Sequence, residues 1–299
     1  RGGFVYDDHT VVEARLRGIC DFSPDGILSI ISGGWFSHYL PVRFLSYMID
    51  CRLWGPEPFG FHLSNLLLHA ANAALVAAVV AAVVSGTGGG GNRANGVAFR
   101  MAGMTAGLLF AVHPLMAESV ANITGRKELL ATFFVLCSML LWLGNFRRTV
   151  VDGSVRPGVT PTLAASFFLF LLAGLSKASA LAFPLVLVAS EWLLAPDEKR
   201  DAAAGRLERT VPFFLVAGGL MAIDIAMSAQ DGIIEGLYGG SVFTHFLTVL
   251  KIPVLHLYHF LWPAALSPEY SIPAETSPFS AAVLVSAAVC ACALWGFVR

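Results

Sequence analysis

Charge is scarce in this sequence: 13% of its 299 residues are Asp, Glu, Lys or Arg, about half of what ordinary soluble domains carry. A water-soluble protein of this length needs more polar surface than that to cover its core, so a soluble globular domain is excluded. Missing too is any basic run, or any basic patch interleaved with aromatics, and 19 Lys and Arg nearly balance 20 Asp and Glu. That excludes nucleic acid as a partner. Cysteine is sparse. Of the five, Cys137, Cys290 and Cys292 sit in apolar stretches and read as packing, not as a disulfide framework or a metal site. Cys20 and Cys51 share a polar region and are the pair that could bridge. The chain opens at Arg1, without an initiator Met, on a polar stretch that offers no signal peptide to read, as expected of a fragment cut at both ends.

The surplus lies in apolar side chains, 56% of the chain, with a mean hydropathy of +0.71. Lipid accepts such side chains on the outside of a helix as readily as on the inside, and a spanning helix needs about 20 of them. Seven segments qualify: 63–84, 101–117, 129–146, 163–175, 180–194, 211–228 and 279–297. The fourth and fifth are short and parted only by Ser176, Lys177, Ala178 and Ser179, which predicts a tight helical hairpin or one broken helix. The expectation is an all-α, polytopic transmembrane helix bundle over residues 63–299, preceded by a luminal loop, 1–62, in which the apolar run from Ile27 to Phe36 forms a short interfacial helix.

Orientation follows from Lys and Arg, which short cytoplasmic loops retain. Arg93 and Arg100 mark one loop, Arg147, Arg148 and Arg156 a second, and Lys199, Arg200, Arg206 and Arg209 a third. These alternate along the chain, placing 1–62, 118–127, the Lys177 turn and 229–241 on the opposite, luminal face. The segment 242–263 is apolar but holds Lys251, Pro253, His245, His256 and His259, and neither flank carries Lys or Arg. A span there would leave a cytoplasmic loop without positive charge, so it is expected to lie along the luminal interface. The Gly-rich tract from Gly86 to Gly91 reads as flexible linker.

Several luminal residues could carry chemistry. Adjacent carboxylates such as Asp7 and Asp8 can split roles, one as general base and one orienting an acceptor, because mutual repulsion raises at least one pKa; the alternative is a solvated loop or a helix cap. His113, Glu118, Arg126, Lys127 and Glu128 gather around a short loop between two apolar helices, where ionisable groups are costly unless paired or used. Arg126 suits a bidentate grip on phosphate, or else a salt bridge to Glu118 that fixes the loop. Lys177 is a cation between apolar stretches that snorkels or meets an anion. His62, Asn65 and His69 fall on one helix face turned toward the bundle interior, and the two histidines are too far apart for an i, i+4 zinc pair, reading as hydrogen-bonded core residues. Asn122-Ile123-Thr124 matches a glycosylation sequon, in a loop too close to the bilayer for modification. Glu269, beside Tyr270 and Ser271, closes the luminal set, and Asp224 is a lone acid within an apolar helix.

The strings Val5-Tyr6-Asp7-Asp8, Trp54-Gly55-Pro56-Glu57-Pro58-Phe59-Gly60-Phe61-His62 through His69, Leu108 to Pro114 running on through Glu118 to Leu130, and Leu261-Trp262-Pro263 through Tyr270-Ser271 occur in that order. Together they resemble the membrane portion of the transmembrane and tetratricopeptide-repeat O-mannosyltransferases, a family of the GT-C glycosyltransferase superfamily. The resemblance implies a GT-C bundle and a polyprenyl-phosphate sugar lipid, dolichyl-phosphate mannose, as donor substrate, with no cofactor and no metal. It implies a Ser or Thr hydroxyl of a secretory-pathway protein as acceptor. The setting would be the endoplasmic reticulum membrane, or the inner membrane in a bacterium, and a repeat domain would follow the membrane part. An acid of the first luminal loop then acts as base in an inverting transfer, a role for Asp7 or Asp8, while Arg126 and Lys177 hold the lipid phosphate. His62, Asn65, His113, Glu118, Glu128 and Glu269 line the site. The chain departs from the family pattern at Lys177-Ala178, where a Lys-Glu pair is usual, at Tyr39-Leu40-Pro41, where Tyr-Arg-Pro is usual, and at Glu269, where Asp is usual. Arg43 is placed to supply the missing guanidinium. The departures motivate a competing reading as a catalytically silent scaffold or lipid-binding subunit; a transporter, resting on Asp224 and the break at Lys177, comes third.

Overall fold

Proline opens helix after helix in this chain, because its fixed φ suits the first helical turn and its missing N–H is not needed there. The computed structural model describes residues 3–4, 7–32, 39–87, 93–151, 160–195, 204–230, 239–264, 266–267, 270 and 272–298. Among these the chain forms α-helices and no strands. In order they are α1 (Asp8–Val11), α2 (Leu16–Ile19), α3 (Pro24–Ile31), α4 (Pro41–Trp54), α5 (Pro58–Thr87), α6 (Arg93–Val112), α7 (Met116–Ala121), α8 (Arg126–Phe146), α9 (Pro161–Gly174), α10 (Phe183–Leu194), α11 (Ala204–Gln230), α12 (Val242–Val249), α13 (Ile252–Leu261) and α14 (Ala281–Val298). Pro24, Pro41, Pro58 and Pro161 are first residues of their helices, and Ser23 and Thr160 cap two of them by accepting the amides of Gly26 and Leu163. The chain divides into two compact units, 1–230 and 231–299.

In the first unit, the helices over Pro58–Ser85, Ile123–Thr149 and Arg209–Ala229 are long and apolar enough to cross a membrane, and Gly96–Val112, Pro161–Gly174 and Ala178–Leu194 are shorter apolar helices. Each is longer than the apolar run expected there except Gly96–Val112, which is shifted toward the N-terminus from the expected 101–117 and ends before Pro114. Their order is legible from the contacts between them. A Cβ on Gly103 would lie 2.3 Å from the Ala77 carbonyl, and one on Gly107 would lie 2.7 Å from that of Ala73, so α5 and α6 run antiparallel with backbones almost touching. Helices α8 and α9 are also antiparallel, for Ser138 bonds Ser166 and Thr160 donates to Asn145. Phe170 in the last turns of α9 lies 5.8 Å, ring to ring, from Phe183 at the start of α10. A straight helix would separate those two by about 20 Å, so the chain folds back at Lys177, whose backbone is extended, as the hairpin alternative requires. Trp142, Phe167, Phe170 and Phe213 stack edge-on or tilted at the centre of this bundle.

The helix ends sort by charge. Arg147 donates to the Ala82 carbonyl and to Ser85 at the ends of α8 and α5, and Arg209 at the head of α11 donates to Thr149. The ends flanking the basic connections therefore meet at one end of the bundle. The opposite end gathers the starts of α5 and α8 and the finish of α6 and α9.

At that opposite end α1 to α4 build a small core of their own. Val12, Ile19, Ile30, Phe44, Tyr47, Phe61 and Ile123 are buried together, each contributing about 2 kcal/mol. Cys20 and Cys51 are joined as a disulfide, Cα atoms 5.5 Å apart, tying the end of α2 to α4. Sequence reasoning expected one helix from Ile27 to Phe36 in this region. The structure places it at Pro24–Ile31, because Ser23 caps it and Pro24 starts it, and adds α4, which the mixed polarity of its sequence concealed.

In the second unit the apolar segment 242–263 is broken at Leu250-Lys251 into α12, which Ser241 caps, and α13. At about 12 and 15 Å, neither reaches across a hydrocarbon layer of about 30 Å. Phe243, Phe246, Phe260 and Trp262 are exposed along them. Lys251 at the break ties down the following loop, bonding the Pro273 carbonyl at 2.9 Å and Glu275 at 2.8 Å. That bond, first among the causes, holds the Glu275 carboxyl below its usual range.

Candidate functional site

The acid-bearing end of the first unit holds two ion-pair systems, one sealed and one open. The sealed system centres on Arg126, the first residue of α8, which is 1% exposed. Its Nη2 donates to Asp50 Oδ2 at 2.7 Å and to the Phe61 carbonyl at 2.8 Å, its Nε donates to Asn65 Oδ1, and its guanidinium lies over the Tyr47 ring. Asp50 accepts a further bond from Ser64 at 2.6 Å. Burial pushes the Asp50 carboxyl up, against the opposing pull of Arg126 and Ser64, so desolvation outweighs the ion pair. Asn65, with its oxygen on Arg126, gives its amide to the Asn122 carbonyl at 2.9 Å. Tyr47 donates to the Ile123 carbonyl at 2.9 Å, and burial raises its phenol to about 12.

Asp8 belongs to the same framework. It is fully buried, and its two carboxylate oxygens accept the backbone amides of Ile123 and Thr124 at 3.1 and 2.8 Å. It thereby pins the turn Ile123–Gly125 that launches α8. Thr124 also donates to the Asn122 side chain at 2.7 Å, and Thr124 and Ile123 are buried, which closes the sequon.

These placements correct three readings. Arg126 is buried, with Nε and Nη2 directed at Asn65, Asp50 and Phe61 and Nη1 at Ser46, which leaves no open fork for a lipid phosphate, and its carboxylate partner is Asp50, not Glu118. Asp8 is a buried anchor, not a base open to an acceptor, and Asn65 is a strut between α5, α8 and the turn before α8. Asp50 is the residue that sequence reading missed. The signal was present in Asp50-Cys51, an acid on the same short helix as Arg43, but its partner lies 76 residues away.

The open system surrounds Glu128, in the first turn of α8. Lys177, at the break between α9 and α10, forms an ion pair with it, and the two side chains are 32% and 30% exposed. Arg43 on α4 is buried, lies over Phe44 at 4.5 Å and is within electrostatic range of Glu128. Burial, the largest influence, lowers its guanidinium from the ordinary value. Lys127 interacts electrostatically with Arg43, Glu128, Lys177 and Asp7 together. Asp7 itself is exposed at the start of α1, where its carbonyl accepts the amides of Thr10 and Val11. Asp7, Arg43, Glu128 and Lys177 thus come together as a set, with Lys127 added.

The remaining site readings scatter. His62 bonds the Gly3 carbonyl at 3.1 Å and His69 the Ala111 carbonyl at 3.0 Å. His113 accepts the Leu115 amide at the end of α6, and Glu118 is exposed on α7. Glu269 lies outside the described residues.

An all-α membrane helix bundle with one exposed acid beside a group of cations at a single end defines the class of protein. Comparison with known proteins agrees with the motifs. The chain is 28% identical over 291 residues to protein O-mannosyl-transferase Tmtc2 of Drosophila melanogaster, covering 91% of this chain and 29% of that protein. It is 33% identical over 165 residues to protein O-mannosyl-transferase TMTC4 of Homo sapiens, 51% of this chain and 22% of the relative. Over 182 residues it is 33% identical to protein O-mannosyl-transferase TMTC1 of Mus musculus, 57% of this chain and 17% of the relative. The chain is therefore a homologue of these O-mannosyl-transferases, and it spans less than a third of the length of each. No protein-family model matches the sequence. No solved structure matches it.

Proposed function

We propose that the chain is the membrane part of a protein O-mannosyltransferase. It takes mannose from a polyprenyl-phosphate mannose, dolichyl-phosphate mannose in a eukaryote, to Ser or Thr hydroxyls of secretory-pathway proteins. The acid-bearing end faces the lumen of the endoplasmic reticulum. The observation that carries this reading is Lys127 within electrostatic range of Asp7, Arg43, Lys177 and Glu128 at one end of the bundle, in a chain homologous to O-mannosyl-transferases over 91% of its length.

The chemistry needs two things from the protein. Asp7 takes the proton of the acceptor hydroxyl as its oxygen forms the new bond to C1 of mannose, with inversion. The bond from C1 to the phosphate oxygen breaks at the same time, and the phosphate leaves with one more negative charge than it carried in the donor. Fixed cations where that charge appears stabilise the transition state more than the ground state. Lys127 and Lys177 take that role, and the buried Arg43 adds its positive field. The lipid tail stays in the bilayer, which explains why the cations belong at a helix end and not in a deep cleft. No group of the protein need protonate the leaving phosphate, and the charge it gains is met by side chains alone.

Transfer of labelled mannose from dolichyl-phosphate mannose tests the assignment. Asp7→Asn is expected to lose about a hundredfold or more of the rate, the usual contribution of a general base, while melting normally. Asp8→Asn is expected to melt at a lower temperature through its loosened turn. Wild-type rates from Asp7→Asn would remove Asp7 from the chemistry.

A further inference from the structure

Among the ion pairs of the described residues at the acid-bearing end of the bundle, Arg126–Asp50 and Lys177–Glu128 differ in exposure by an order of magnitude. The Arg126–Asp50 side chains are 2% and 4% exposed, and no ligand can reach them without unfolding the framework. The Lys177–Glu128 side chains are 32% and 30% exposed, open to exchange. Around the open pair Arg43 and Lys127 are both within electrostatic range of Glu128, so three cations converge on one carboxylate. Like charges held that close repel each other in the absence of an anion.

We propose that Glu128 is the resident counter-ion of the donor-phosphate site: it holds Lys177 in the empty protein and yields it to the lipid phosphate when donor binds. The proposal rests on the transferase reading and adds a positioning residue to it. A carboxylate and a phosphate oxygen offer a lysine the same kind of acceptor, and a phosphate brings more of them. Glu128 does not become stranded when Lys177 leaves. It stands in the first turn of α8, where the unpaired amides and the helix dipole favour negative charge, and Lys127 remains beside it. The hairpin break at Lys177 supplies the freedom for the exchange, since that residue belongs to neither α9 nor α10.

The test is binding of a short-chain polyprenyl phosphate to the protein purified in detergent, with inorganic phosphate and the neutral polyprenol in parallel. Glu128→Gln removes the competing carboxylate and is expected to bind polyprenyl phosphate about fivefold tighter, near the upper end for a partly exposed ion pair. Its KM for donor falls in step, and its ligand-free melting temperature drops because the cations lose their counter-ion. Lys177→Gln is expected to bind about tenfold more weakly. A gain confined to polyprenyl phosphate names the lipid as the source of the anion; a gain for inorganic phosphate too shows a site open to free phosphate, and either supports the exchange. Equal or weaker binding by Glu128→Gln overturns the proposal, as does an equal gain for neutral polyprenol. Failure of the wild type to bind either anion overturns both this proposal and the transferase reading, whereas normal wild-type binding without a gain in Glu128→Gln overturns this one alone.

Discussion

Asp7 and Asp8 are neighbours in sequence with opposite surroundings, one exposed and one accepting two amides in a dry pocket. Alternation at a helix start is enough to do this, because consecutive helical residues point about 100° apart. Asp50 and Arg126 show the cost of the dry pocket. Removing one member of a buried pair strands the other, so Asp50→Asn is expected to lose about 3 to 5 kcal/mol of stability, read as a lower melting temperature in detergent. Retention of wild-type melting would mean the pair is not sealed. Tyr47 gives a pH signature. Its folded value of about 12 exceeds the ordinary value of 10.0, so the stability it contributes is complete below pH 10 and is lost as pH rises through 12. Absorbance of the phenolate is expected to show one tyrosine ionising late, and Tyr47→Phe to erase that step; an ordinary titration for every tyrosine would contradict its burial.

At the scale of elements, α6 lies against α5 with their backbones in close contact. Gly103 faces the Ala77 carbonyl with no room for a methyl group. Gly103→Leu is expected to push the helices apart and cost about 2 kcal/mol or more, measured by thermal unfolding against Gly96→Leu, which meets nothing. Helix existence was legible from the sequence because apolar runs of this length have few other uses, and the extra turns at each end were not, because polar residues such as His62 and Arg126 enter these helices to meet partners. The break at Lys177 was legible from one cation between two apolar stretches. Helix α4 was not: Arg43, Asp50 and Arg52 mask its apolar face, which appears only once Phe44, Tyr47 and Met48 meet Ile123 and Phe61. The candidate site was half legible. Asp7, Lys177, Arg43 and Glu128, assigned to one site from the sequence, all lie within electrostatic range of Lys127, whereas the surroundings of Asp8 and Arg126 depend on contacts 115 and 76 residues distant, which no local pattern encodes.

For the molecule as a whole, the sorting of helix ends carries the functional argument. The ends joined by Arg147 and Arg209 lie opposite the Asp7 and Lys177 end. Single cysteines introduced at Glu118 and at Arg148 are expected to react with an impermeant reagent from opposite sides of the membrane; labelling of both from one side would dismantle the orientation. The Cys20–Cys51 bridge adds a dependence on where the chain matures. Residues 8–31 hold Asp8 and the small core in place, and a covalent staple fastens them to α4. Such a staple forms and persists in oxidising compartments, which lie on the far side of the membrane from the ribosome. On the proposed luminal orientation the Asp7 and Lys177 end is locked only after translocation, so a chain inserted the wrong way round would keep its helices and lack the staple that fastens that end.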